Sequence, residues 1–176
     1  YEMIDGTQPI LGYSDAEHLR PILNTASSYD PKNPYENRDP RFYASVYYNG
    51  AIRYLDQPNG DVVETYVGGN CGISDKVTDI RYTRTGYYMR KFNNFKSGIG
   101  QDADGLMRIF RLAELYLNFA EAAYQAVGPD GQVASKVGAE ALSARDAVNK
   151  IRVRAGIPAL SSGMSKDSFE KRYRNE

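Results

Sequence analysis

The stretch Arg111-Leu112-Ala113-Glu114-Leu115-Tyr116-Leu117-Asn118-Phe119-Ala120-Glu121-Ala122 decides the fold class of this chain. It sits in a run from Leu106 to Val127 that holds no proline, with glycine first returning at Gly128. Arg108, Arg111, Glu114, Asn118, Glu121 and Gln125 recur at steps of three or four, which draws one narrow wet stripe along an α-helix. Gly128-Pro129 ends that helix, because glycine takes the left-handed cap and proline cannot continue the ladder. A second helix is expected from about Val133 to Arg154, with Val137, Ala141, Ala144, Val148, Ile151 and Ala155 as its packing seam. Gly156 and Pro158 close it. A short connection makes the two helices antiparallel neighbours, and Ala120, Ala123, Ala141, Ala144 and Ala147 let their backbones approach closely.

Such a pair, with Tyr124 near the end of its first helix, resembles a tetratricopeptide-type unit. One hairpin cannot bury both faces, and no second copy occurs in the 176 residues, so a fragment of one larger domain is expected. Met164 to Glu176 opens a further helix, capped by Ser165, with Phe169 and Tyr173 on one face.

Residues 1–105 read as a loop-rich part with short strands. Ser14, with Glu17 three residues on, predicts a short capped helix carrying Leu19, Ile22 and Leu23. Pro31, Pro34 and Pro40 make residues 29–41 an ordered loop, and Asp39-Pro40 starts a brief helical turn. Asn49-Gly50 between Ser45-Val46-Tyr47-Tyr48 and Ala51-Ile52-Arg53-Tyr54 predicts a β-hairpin. Val62 to Tyr66, after Asn59-Gly60, and Thr85 to Phe92 are further short strands. The expected class is mainly α: a tetratricopeptide-like hairpin of α-α superhelix type, with an irregular part carrying short β-hairpins.

Several functions are disfavoured. Lys+Arg and Asp+Glu are 22 each, so there is no basic excess for a nucleic-acid partner. Arg81, Arg84, Arg90, Lys91 and Lys96 do interleave with Tyr82, Tyr87 and Tyr88, but an exposed β-region gives the same pattern. Cys71 is the single cysteine, which excludes an internal disulfide and a cysteine zinc site. No apolar run reaches the ~20 residues of a membrane helix, no charged leader precedes an apolar segment, and an upstream segment is expected to have been removed. Gly68-Gly69-Asn70-Cys71-Gly72 fits neither a Walker loop nor a dinucleotide fingerprint. His18, the one histidine, has no nucleophile beside it in the sequence. Asp102 and Asp104 form a carboxylate pair suited to calcium or to glycoside hydrolysis. The loop shows too few ligands for the first, and the second needs carboxylates from distant elements. No catalytic residue, metal or cofactor is assigned.

The ordered motifs together resemble the SusD/RagB family of cell-surface nutrient-binding lipoproteins. They are Tyr1-Glu2-Met3 with Asp5-Gly6, Asn37-Arg38-Asp39-Pro40-Arg41-Phe42, Gly86-Tyr87-Tyr88 with Lys91-Phe92, the 111–122 stretch, and Val148-Asn149-Lys150-Ile151-Arg152-Val153-Arg154-Ala155-Gly156-Ile157-Pro158. Arg174-Asn175-Glu176 resembles the opening of a further family motif. The resemblance implies an outer-membrane, outward-facing protein that is not an enzyme, anchored by an N-terminal lipid outside this chain. It implies glycan binding beside a SusC-like TonB-dependent transporter, on which the protein acts as a lid. The family's binding residues follow no fixed motif and do not transfer by matching.

The polar residues of the helical motifs have structural explanations. Arg111 and Glu114 are spaced to pair, and Arg152 or Arg154 is placed to reach Glu114 or Glu121 across the hairpin. Ligand binding is therefore expected in the loops before Leu106. The 15 tyrosines, with no tryptophan, supply rings with an apolar face and a polar tip, suited to sugars. Tyr29, Tyr35, Tyr54 and Tyr66 are the candidate platforms, and Asn70 and Arg81 the candidate donors. The alternative is a helical-repeat module that binds a protein and no sugar.

Overall fold

The computed structural model describes residues 1–53, 60–72, 82–93, 108–134 and 140–176. Tyr54, Arg81, Asp102, Asp104 and Val137 lie outside the described residues. Regular structure among those described is mostly helical, with three small two-stranded antiparallel sheets. The chain forms two compact units: residues 1–40 with 108–176, and residues 41–107. The first forty residues thus belong with the helices.

In the first unit, α2 spans Leu112–Val127 and α3 spans Ala144–Ala155. Ala120, Ala123 and Tyr124 of α2 pack on Ala144, Ala147 and Val148 of α3 in one buried cluster. Ala120, Ala123, Ala144 and Ala147 do what was expected of them, since a methyl group at each contact lets the helices close together, whereas Ala141 is exposed and lies before α3. Arg145 at the start of α3 donates its backbone N–H to Pro129 just past α2, so α3 turns back from the end of its neighbour. Both helices are shorter than the periodicity suggested. Arg111 is extended at φ −127°, so α2 begins at Leu112 and not at Leu106. The second helix begins at Ala144 and not at Val133. The connection carries its own ribbon, β5 (Gln132–Val133) against β6 (Leu142–Ser143). Ser143 ends that ribbon and caps α3, accepting from the Asp146 N–H at 3.1 Å and donating to its carboxylate at 2.7 Å. Gly156 closes α3 in the left-handed conformation at φ 82°, where Ile157 donates back to the Arg152 carbonyl.

Helix α4, Lys166–Tyr173, is capped by Ser165 and lays Phe169 into the same core, 5.5 Å from the Tyr124 ring. Asn149 ties the intervening loop down, accepting from the Leu160 N–H at 2.6 Å. The helix expected after Ser14 is instead a hairpin, β1 (Ile10–Tyr13) against β2 (Pro21–Leu23). Asp15 accepts from the N–H groups of Leu19 and Arg20 and so rounds the turn, while Pro21 sits opposite Tyr13 in a two-stranded sheet that is all edge.

In the second unit, α1 (Pro40–Ser45) starts where Asp39-Pro40 placed it and runs into β3 (Val46–Tyr47). Asn49-Gly50 does make a turn, with the Ala51 N–H on the Tyr48 carbonyl and Gly50 at φ 88°. Its arms pair elsewhere. Strand β3 joins β4 (Tyr88–Met89), and Ile52 bridges Val62. The rings of Phe42, Tyr43 and Tyr48 pack together at 5.3 to 6.0 Å, Phe42 stacked on Tyr48 and Tyr43 edge-on to both, with Phe42 buried and the two tyrosines half-buried.

Candidate functional site

The tyrosine-bearing loops come first. Asp30 organises the proline-rich loop by accepting from the Lys32 N–H and the Asn33 amide. Tyr29 and Tyr35 are half-buried there, and the Arg38 guanidinium lies 5.7 Å over the Tyr29 ring. Arg38 also donates to the carbonyls of Pro34 at 2.9 Å and Tyr1 at 3.2 Å.

Tyr66 and Asn70 belong to the second unit. Tyr66 is exposed, and the Glu64 carboxylate accepting from its hydroxyl raises its pKa above that of an ordinary phenol. The Asn70 amide is taken up within its own loop: it accepts from the Glu64 N–H at 3.0 Å and donates to the Val62 carbonyl at 2.8 Å. The glycines beside it have a steric cause. A Cβ on Gly72 would lie 1.8 Å from the Tyr66 carbonyl oxygen, and one on Gly69 2.6 Å from that of Glu64. Only glycine permits those approaches, which explains the cluster without a phosphate.

Arg152 of α3 is the centre of an ion-pair clasp inside the first unit. Arg152 is 1% exposed. It donates to Glu2 at 2.9 Å, to the Pro158 carbonyl at 2.8 Å, and to Glu176. Arg172 adds contacts to Glu2 at 3.1 Å and to the Gly6 carbonyl at 2.7 Å. The expected pairing of Arg152 with Glu114 or Glu121 is therefore replaced by partners far away in the chain. Helix periodicity could not find them, because Glu2 is about 150 positions from Arg152. Gly6 completes the clasp at φ +77°, where an added Cβ would lie 3.1 Å from the Arg152 guanidinium. Two positive and two negative side chains meet there, so the clasp is neutral as a group.

Above Glu2 opens a cleft of about 520 Å³, lined by Tyr1, Glu2, residues 8–13, Arg38, Lys171 and Asn175. Strand β1 and the residues before it supply one wall, and Lys171 of α4 with Asn175 past its end the other. Tyr13 stacks on His18, with centroids 4.6 Å apart and planes at 20°. His18 takes φ 57° at the hairpin tip. The sequence reading named none of Tyr13, Lys171 and Asn175, since it drew a helix after Ser14 where the chain makes the turn and second strand of a hairpin. Of the expected ligand residues, Tyr29 touches this cleft indirectly, through Arg38.

Among the described residues no group of His, Cys, Asp and Glu is placed to hold a metal, and no helix is long and apolar enough to cross a membrane. What remains is a helical scaffold, locked by buried ion pairs, that presents aromatic and amide groups on loops and in an open cleft. The SusD family model matches residues 1–176, and the chain belongs to that family. It is similar to a solved SusD-like protein from Bacteroides fragilis, with 28% identity and a TM-score of 0.65, over 99% of this chain and 30% of that one. The chain therefore spans about a third of that protein's length. No curated protein matches it.

Proposed function

We propose that the protein binds a glycan at the cell surface and delivers it to a SusC-like TonB-dependent transporter in the outer membrane. Membership of the SusD family over residues 1–176 carries the reading. The solved relative named as SusD-like, 28% identical over 99% of this chain, supports it. In this reading the α2–α3 pair is a tetratricopeptide-like unit that serves as scaffold. Its alanine seam and buried Tyr124 favour that assignment. The protein is anchored to the outer leaflet by an N-terminal lipid outside this chain, and it binds sugars without cleaving them. Tyr29, Tyr35, Tyr54 and Tyr66 are the proposed platforms, with Asn70 and Arg81 as donors. Tyr66 is the foremost of them, because the residue is 55% exposed. Tyr66→Ala is expected to weaken glycan affinity about two- to tenfold, the worth of one aromatic contact. Isothermal titration with the glycan that the full-length protein retains reads this out, and an unchanged affinity removes Tyr66 from the site.

A second reading, a module that binds protein and no sugar, is favoured by apolar residues at the start of α2 and just before it. Ile109, Phe110, Leu112 and Leu115 are each more than half exposed, at 78%, 71%, 62% and 56%. Capture of the transporter that survives alanine at every loop tyrosine, with no glycan retained, selects that reading over the first.

A further inference from the structure

We infer that Glu64 makes the Tyr66 loop selective for uncharged sugars: its carboxylate accepts hydrogen bonds from sugar hydroxyls beside the Tyr66 ring and turns away sugars that carry an acidic group. The inference rests on the glycan-binding reading with Tyr66 as a platform, and it names the residue that sets the substrate class there.

The loop is tied so that its tip is held out. The Gly69 N–H donates to the Tyr66 carbonyl at 3.0 Å, the Gly72 N–H to the Gly69 carbonyl at 3.1 Å, and the Cys71 N–H to the Glu64 carbonyl at 2.9 Å. Asn70 closes the base through the Glu64 N–H and the Val62 carbonyl. Tyr66, Val67 and Gly68 are left exposed at the tip. Gly68 stands at φ +87° with nothing within 4 Å of where a Cβ would lie, so that side of the tip is open.

Glu64 is half-buried beside that tip. Its carboxylate accepts from the Tyr66 hydroxyl and from the Asn70 N–H at 3.3 Å. A carboxylate offers about four accepting positions, so roughly two stay open to a ligand. Glu64 makes no ion pair among the described residues, whereas Asp61 nearby is matched by Arg53 at 3.0 Å. An unneutralised negative charge therefore sits at the platform. Being acceptor-only, it is satisfied by hydroxyl donors, while a uronate or sulfate brings no donor and a like charge. The same hydrogen bond holds the Tyr66 ring in place, which limits the entropy lost when a sugar stacks on it.

The test uses the full-length protein and isothermal titration with neutral gluco-, manno- and galacto-configured oligosaccharides, and with the same oligosaccharides oxidised at C6 to hexuronates. Wild type is expected to bind at least one neutral oligosaccharide about two- to fivefold more tightly than its oxidised counterpart, the range for one exposed charge contact. That gap should shrink as salt is raised. Glu64→Gln keeps the shape and one acceptor but removes the charge, so it should weaken neutral binding and close the gap. Tyr66→Phe keeps both the ring and the Glu64 charge, and should keep the gap. Equal or tighter binding of the oxidised form by wild type overturns the inference while glycan binding stands. So does a gap that survives Glu64→Gln in a variant that unfolds like wild type, or one that is lost in Tyr66→Phe. Binding to neither set also overturns the inference, and the glycan-binding reading falls with it only if no polysaccharide gel retards the protein.

Discussion

Replacing Arg152 with methionine removes a buried guanidinium and keeps most of its volume, so the electrostatic loss is separated from a cavity. The side chain is 1% exposed and serves Glu2, Glu176 and the Pro158 carbonyl together. Breaking a buried ion pair by deleting one partner costs about 3–5 kcal/mol, because the charge left behind is dehydrated. Glu2 keeps Arg172 at 3.1 Å, which moves the expectation to the lower end, about 3 kcal/mol. Urea unfolding should then show a midpoint lowered by about 1–3 M at an unchanged slope. Lysine keeps the charge but its compact ammonium lacks the planar fork that reaches acceptors on three sides, so Arg152→Lys should fall between wild type and methionine. Glu2→Gln combined with Arg152→Met should cost less than the sum of the two, by about 0.5–3 kcal/mol. A loss below about 1 kcal/mol for Arg152→Met, or strict additivity in the double variant, would refute the clasp as a buried coupled network.

Gly6→Ala should destabilise by about 1–3 kcal/mol on the same assay, since φ is +77° and the new methyl crowds Arg152; a neutral result would mean that the turn relaxes freely. Phe169→Ala should cost about 3–5 kcal/mol and release α4, because the ring is fully buried against Tyr124. Amide exchange in residues 166–173 that stays at wild-type rates would contradict that. Asp130 is held below the usual carboxylate pKa by the Arg145 side chain first and by the Gly163 N–H second. Its folded pKa is depressed, so its stabilisation is present above its unfolded pKa near 3.8 and is lost as pH falls through the lower folded value. The side chain is 39% exposed, so the contribution is below about 1 kcal/mol. Asp130→Asn should remove that acid-range dependence and leave the rest of the pH profile alone, as thermal unfolding from pH 2 to 6 will show.

The helices were legible where local chemistry writes them. Gly156, Ser165 and the Asp39-Pro40 start each act through neighbours in the chain, and each lies where its chemistry places it. The starts of the two long helices were not, because apolar periodicity alone ran past the extended Arg111 and through the β5–β6 ribbon. The Ser143 and Asp146 spacing held the better signal for the second of them. Asn49-Gly50 marked a turn, but which strands flank it depends on Tyr88 and Val62, partners that no turn residue can specify. The clasp shows the same limit most plainly. Glu2, Gly6, Arg152 and Pro158 all stand in the quoted motifs, yet only the fold brings the two ends of the chain together around one guanidinium. The cleft was hidden for a related reason: Tyr13 and Lys171 come from a hairpin and a helix that are far apart in sequence.

The central claim is glycan binding, and affinity electrophoresis of the full-length protein through gels containing a panel of polysaccharides tests it most directly. The account predicts that at least one polysaccharide retards the protein and that the retardation weakens when exposed tyrosines such as Tyr66 are replaced by alanine. Migration unaffected by every polysaccharide and by soluble oligosaccharides would contradict it.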